Sequence, residues 1–397
     1  MFDRLPPAKT DSLMALGQLM QADPRVDKID LGVGTYRDEN GAIPIMAAVK
    51  SAERLLIDEQ ISKGYVGPAG DFEFALRFQE AVFPGLEREA GARLARVQTP
   101  GGTGALRLAL QLVAQANPGA RVWVGAPTWP AHLPLIAAAG LVAKTFQHLD
   151  AEGRINTAAL HEALAQALPG DILLLHGCCH NPTGVDLPLD AWRGMADTCM
   201  RRGIIPLVDL AYPGLGEGVA QDVAGVRAAL ALCEYALVAV SGSKSFGLYR
   251  DRLGMLMLLS ASPTIAFNTA RTAAGQARLL WSNPPDHGAA VVRIILASHD
   301  LSAQWIAELR AMRDRVNAVR ARLAGLSLQR LDLRSLPAQR GMFAMLPISS
   351  EEVRRLRELH AVYLDDSGRI NVAGLNGSNF ERFAAALADI DTLVVPA

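Results

Sequence analysis

Lys244 stands in Ser241-Gly-Ser-Lys-Ser-Phe-Gly-Leu-Tyr-Arg-Asp-Arg-Leu-Gly254, directly after an apolar run that ends at Val240. A lysine that follows a buried strand loses solvation, its pKa falls, and the free amine becomes usable as a nucleophile or general base. Schiff-base chemistry requires that property. The plain alternative is a solvated loop lysine. Ser241, Ser243 and Arg252 weigh against it, because two hydroxyls and a guanidinium can hold one phosphate between them. Asp209 closes a second apolar run, in Pro206-Leu-Val-Asp-Leu-Ala-Tyr212. A buried carboxylate needs a cationic or hydrogen-bonding partner, and a pyridinium nitrogen is one; a cap on the following turn is the other reading.

Gln98-Thr-Pro-Gly-Gly-Thr-Gly104 reads as a glycine loop that opens a helix apolar at 106, 109, 110 and 113. Free N–H groups at the positive end of a helix dipole suit a phosphate, although glycine before a helix is also a common turn. The segment matches neither the dinucleotide fingerprint nor the Walker pattern. His176-Gly-Cys-Cys-His-Asn-Pro-Thr-Gly184 crowds two histidines and two cysteines together. Adjacent cysteines do not follow the usual ligand gap of zinc sites and no second ligand cluster follows, so no metal is expected. Asn181-Pro-Thr-Gly184 is a turn signal whose asparagine could face a ligand. Arg278 and Arg369 are candidates for bidentate carboxylate recognition, and Trp129 for core packing or for stacking on a ligand.

These residues need a scaffold, and the sequence predicts one. The runs Arg121–Val124, Asp171–Leu175, Ile204–Val208 and Ala236–Val240 alternate with helical patterns. That is the signature of βαβ units and a parallel sheet covered on both faces, with ligands at the carboxyl ends of the strands. Trp305, Leu309, Met312, Val316, Val319 and Leu323 form one stripe of a long helix that Gly325 stops. Ser349-Ser-Glu-Glu352 reads as a capping box. Short strands around Met342–Leu346 and Tyr363 suggest a small α+β domain.

A chain of 397 residues with a net charge of −1 has ample core and no basic excess, so neither nucleic acid nor a membrane surface is expected as a partner. The most apolar stretches, Val226–Val240 and Leu253–Phe267, break before the length of a membrane span. No secretory signal is visible at the N-terminus, and four cysteines without a Cys-x-x-Cys pair make no disulfide framework. A cytoplasmic protein is expected.

Taken together, these segments resemble the class I pyridoxal-phosphate aminotransferases, in particular the aspartate and aromatic amino acid subgroup. The resemblance runs from Ile29-Asp-Leu-Gly-Val-Gly-Thr-Tyr36 to Ser367-Gly-Arg-Ile-Asn-Val-Ala-Gly374, with His176–Gly184 and Ser241–Gly254 its most specific motifs. It implies an α/β fold. A large domain over 44–310 would hold a mainly parallel, seven-stranded sheet covered by helices. The chain ends, 1–43 and 311–397, would form an arm and a small α+β domain that closes over substrate. It implies pyridoxal 5′-phosphate as cofactor, with Lys244 holding its aldehyde and moving protons. Asp209, backed by His132, would keep the ring nitrogen protonated; Asn181 and Tyr212 would bond the ring hydroxyl, and Trp129 would stack on the ring. Gly101, Gly102, Thr103, Ser241, Ser243 and Arg252 would hold the phosphate. Arg369, with Asn181 and Gly34, would take the substrate α-carboxylate. Tyr65 and Arg278 would reach into the neighbouring subunit of a homodimer, Arg278 toward a side-chain carboxylate.

The implied reaction is transamination of aromatic amino acids and/or aspartate, with 2-oxoglutarate as the acceptor. A strict aspartate aminotransferase, a β-decarboxylase or lyase, and a non-catalytic ligand-sensing module are the competing readings. A dehydrogenase using Gly32-Val-Gly34 lacks its third glycine. Two departures bear on the substrate pocket. Trp281 stands where relatives commonly carry Tyr, and Pro213-Gly-Leu-Gly216 replaces a commoner Gln-Gly-Phe. The wording of Gln339–Phe343 and Val372–Asn376 leans toward a broad or aromatic enzyme.

Overall fold

The computed structural model describes residues 2–4 and 12–392. Of the stretch Met1 to Pro7, which shows no secretory signal in sequence, Met1, Leu5, Pro6 and Pro7 lie outside them. The strands, in chain order, are β1 (Ile29–Asp30), β2 (Leu94–Pro100), β3 (Arg121–Ala126), β4 (Val142–Gln147), β5 (Ile172–His176) and β6 (Ile205–Leu210). After them come β7 (Ala236–Ser241), β8 (Leu253–Leu259), β9 (Phe343–Met345), β10 (Val362–Tyr363) and β11 (Arg369–Asn371). The chain divides into two compact units, Pro44–Asp314 and Met1–Ile43 with Arg315–Ala397. The division falls inside the long helix His299–Ala324, whose apolar stripe from Trp305 to Leu323 is buried throughout.

The central unit holds a seven-stranded sheet in the order β2-β8-β7-β6-β5-β3-β4. Its inner strands are Val-, Leu- and Ile-rich because helices cover both faces, and β8 is buried along its whole length. The edge strand β4 is exposed or half-buried at every position and carries Lys144, which discourages further pairing. Neighbours among β7, β6, β5, β3 and β4 are parallel, whereas β8 runs antiparallel to both β2 and β7. The connection from Ser241 to Leu253 is too short for a crossover helix, so the chain must turn back. One further difference lies at Gln98–Gly104. No loop separates strand from helix, because Gln98–Pro100 ends β2 and the helix Gly101–Ala116 starts at once. Gly101 makes this turn at φ +72°, a conformation that favours glycine.

The terminal unit pairs β1 with β10 in parallel and β9 with β11 antiparallel. Helix Ser350–His360 opens on the expected capping box, Ser349 and Glu352 bonding one another's backbone N–H groups. Among the described residues no helix is long and apolar enough to cross a membrane.

The buried carboxylate of Asp171 clamps the amino ends of β3 and β5 together. It accepts from the Arg121 backbone at 3.0 Å and its guanidinium at 2.6 Å, from the Trp123 indole at 3.0 Å and from Leu168 N–H at 2.9 Å. Asp171→Ala strands these donors and is expected to cost about 3 kcal/mol. The urea-unfolding midpoint measures this, and an unchanged midpoint would show that the clamp contributes nothing.

Candidate active site

The carboxyl ends of β3, β5, β6 and β7 and the amino end of helix Gly101–Ala116 meet at one pocket in the central unit. Its lining includes Gly102, Thr103, Trp129, Asn181, Asp209, Tyr212, Ser241, Lys244 and Arg252, all predicted from sequence. Leu106, His176 and Ala211 line it as well.

Lys244 sits in the turn after β7, and its Nζ lies 5.2 Å from the centre of the Tyr212 ring. Burial pushes the amine below the ordinary lysine value; the Asp209 carboxylate opposes that shift and the Arg252 guanidinium adds to it. The turn is anchored from beneath. Ser245 donates to Pro213 O at 2.8 Å, the Trp305 indole donates to Ser245 O at 2.8 Å, and Phe246 stacks on Trp305 at 4.4 Å.

Asp209 is buried near the end of β6, and its Oδ2 lies 3.1 Å from His132 Nε2. Burial raises the carboxyl, but the hydrogen bond with His132 and the nearby Lys244 amine outweigh it and hold the group below the usual carboxylate range. His132 Nδ1 is fixed by Thr128 Oγ1 at 2.7 Å, and Trp129 meets the His132 ring edge-on at 5.3 Å. His176 packs 5.0 Å from His132, and burial pushes its imidazole down to about 3, so the ring is neutral.

At the helix terminus, Arg252 lies over Gly101 so closely that an added Cβ there would stand 2.5 Å from its Nη2. A Cβ on Gly102 would meet Ser241 at 3.1 Å. Arg252 also donates to Ser243 Oγ at 3.1 Å. A helix N-terminus, two buried hydroxyls and a guanidinium thus converge, a donor set that suits a phosphate dianion.

Two acids hold the neighbouring loops. Asp186 accepts from Cys179 and His180 N–H at 2.8 Å each, and buried Asp222 accepts from Gly214 at 2.8 Å, Gly216 at 2.9 Å and Glu217 at 2.7 Å. Sequence reasoning missed both, since their partners are backbone amides that no motif displays. Potential metal ligands do gather, as His132, His176 and Asp209 and as Cys178, Cys179 and Asp222. In each set the carboxylate is already engaged, by His132 and by the backbone amides.

The remaining predicted residues lie elsewhere. In the terminal unit, buried Arg369 donates to Gly32 O at 2.8 Å and lies 4.8 Å over the Phe343 ring, against which a Cβ on Gly34 would press at 3.0 Å. Tyr65 and Arg278 are exposed on the central unit, Tyr65 at 92%, and neither lines the pocket.

Comparison with known proteins agrees with this arrangement. The family profile "Aminotransferase class I and II" matches residues 26–387. A tyrosine aminotransferase of Rhizobium meliloti is 46% identical over 98% of this chain and 100% of its own. An aspartate aminotransferase of Escherichia coli is 39% identical, with 98% and 100% covered. The crystal structure of an aromatic-amino-acid aminotransferase from Burkholderia pseudomallei, covalently bound to pyridoxal phosphate, superposes with a TM-score of 0.94 at 35% identity, covering 99% of this chain and 100% of that one. A match of this extent, over a pocket that joins an enclosed lysine to a buried ionised aspartate, shows that the chain belongs to the class I and II aminotransferases and is a transaminase.

Proposed function

We propose that this enzyme transfers the amino group of aromatic amino acids and of aspartate to 2-oxoglutarate, with pyridoxal 5′-phosphate as cofactor. The observation that carries the reading is the pocket in which the Lys244 amine, the Asp209 carboxylate and the Arg252 anion cradle line one surface. The cradle suits the cofactor's phosphate, the ionised buried acid suits a pyridinium nitrogen, and Trp129 suits the face of a ring. Bound there, the cofactor supplies an electron-withdrawing ring that delocalises the electron pair left on the substrate α-carbon.

Lys244 Nζ would take up and release the substrate α-proton, and burial, which weakens its amine's hold on a proton, suits it to that exchange. Asp209, oriented by His132 and Thr128, would accept the N–H of the cofactor's ring. Asn181 and Tyr212 would donate to the ring hydroxyl oxygen, while Ser241, Ser243, Arg252 and the N–H groups of Gly102 and Thr103 would hold the phosphate. Gly101 leaves room for Arg252. Arg369, supported by Gly34, forks onto the α-carboxylate.

We infer further that the enzyme is a homodimer with shared sites, Arg278 and Tyr65 serving the neighbouring pocket. Ile57 at 76%, Ile61 at 101% and Leu279 at 80% exposure support this, being apolar side chains that a monomer would leave in water. Four free, buried cysteines suit a reducing compartment, and we assign the enzyme to the cytoplasm. The relatives named for tyrosine, aromatic amino acids and aspartate support the broad substrate range.

Three results test these readings. Added separately without keto acid, aspartate and phenylalanine should each bleach the visible band of the purified enzyme; bleaching by aspartate alone establishes a strict aspartate enzyme. Lys244→Ala should lower turnover by about 10⁴-fold or more with the circular dichroism spectrum unchanged, and near-normal turnover excludes the proposed role. Because burial lowers the Lys244 pKa in the folded state, its cost to the apoenzyme is full below that value and disappears above the ordinary lysine pKa. Apo Lys244→Met should therefore melt above wild-type apoenzyme at pH 7, and the gap should close as the pH rises toward about 10.4. A gap that does not change with pH rules out a desolvated ammonium as its source.

A further inference from the structure

The loop from Gly177 to Asp186 brings Asn181 to the pocket, and most of its ties are internal. Gly184 N–H donates to His180 O at 2.7 Å, Val185 N–H donates to Thr183 Oγ1 at 3.1 Å, and that hydroxyl lies 2.9 Å from His180 Nδ1. Other parts of the chain tie it as well: Gly177 N–H donates to Asp209 O at 2.8 Å and the Cys179 thiol lies 3.9 Å from Tyr212 O, both near the loop's start, while a third tie holds its far end. His148, the residue after β4, places its Nε2 3.1 Å from Val185 O. A carbonyl only accepts, so Nε2 carries the hydrogen.

The same ring lies flat on His180, with centres 3.8 Å apart and planes inclined by 11°. His180 in turn packs 4.1 Å from His176, which lines the pocket beside Asn181. Both stacked rings, His148 and His180, are buried, and burial lowers the imidazole of each, so neither carries a charge that would disrupt the stack. Strand β3 makes space for the arrangement. A Cβ on Gly125 would stand 3.2 Å from His148 Cβ and 3.3 Å from its Nδ1.

We propose that His148 is a positioning residue of the cofactor pocket, holding the Asn181 loop in register by donating to Val185 O while stacking on His180. It does not line the pocket itself. The position asks for a flat ring and an N–H at its far corner, and phenylalanine supplies only the ring.

The inference rests on the pyridoxal-phosphate reading, and the test uses that cofactor with the whole enzyme. His148→Phe keeps the stack and removes the donor; His148→Gln restores a donor near Nε2. Cofactor affinity, the pH midpoint of the visible band and the melting temperature of the apoenzyme are measured for all three proteins. The Phe variant should bind pyridoxal 5′-phosphate about fivefold more weakly, the worth of one neutral hydrogen bond. Its band midpoint should rise, because a displaced Asn181 donates less to the ring hydroxyl, and the Gln variant should recover most of both changes. A Phe variant with wild-type affinity and midpoint overturns the proposal. So does a Gln variant as impaired as Phe, or a lowered melting temperature with an unmoved midpoint, which marks a purely structural residue. Failure of the wild-type protein to take up the cofactor overturns the cofactor reading instead, and is recognised before any variant is made.

Discussion

An ionised carboxylate and a lysine amine share one poorly hydrated pocket, and everything around them answers that electrostatic demand. Left alone, Asp209 would protonate on burial and Lys244 would shed its proton. His132 tips the balance at the acid through a hydrogen bond, and Asp209 and Arg252 pull the lysine in opposite directions. The sheet supplies the geometry, since parallel strands deliver successive loops to the same edge. The antiparallel return of β8 then brings Arg252 back within a short stretch of Lys244.

Holding such loops still requires saturating their backbone. Asp186 and Asp222 do this with carboxylates that collect two and three N–H groups, one beneath the Asn181 loop and one beneath the segment after Tyr212. Pro213-Gly-Leu-Gly216, the departure noted in the sequence, is the segment that Asp222 gathers. Its form is therefore set by an acid that lies below it in the chain fold, and not by its own side chains alone.

Much of this was legible in the sequence because the signals are local. Apolar runs bounded by turns gave the strands; Ser349 and Glu352, three positions apart, gave a helix start; Lys244 and Asp209 stood where those runs end. The reversal of β8 and the absence of a loop before Gly101 depend on connection length and backbone angle, which residue type specifies weakly. Asp171 and Arg121 are fifty positions apart, and His148 and Val185 thirty-seven, so no periodicity links them. Nothing in the residues beside Arg369 signals its burial, because Gly32 and Phe343, which enclose it, are distant in the chain.

The terminal unit is assembled from distant stretches of chain. Ile29 pairs with Val362, and Arg369 reaches Gly32 O across more than three hundred residues. A ribosome releases the first of these partners long before the second exists. The central unit, contiguous from Pro44 to Asp314, has all of its strands early, whereas β1 must wait unpaired until synthesis reaches β10. The arginine that recognises an amino acid's carboxylate in this reading is thus among the last parts to be put in place. A truncated chain would carry the lysine pocket without the means to select what enters it.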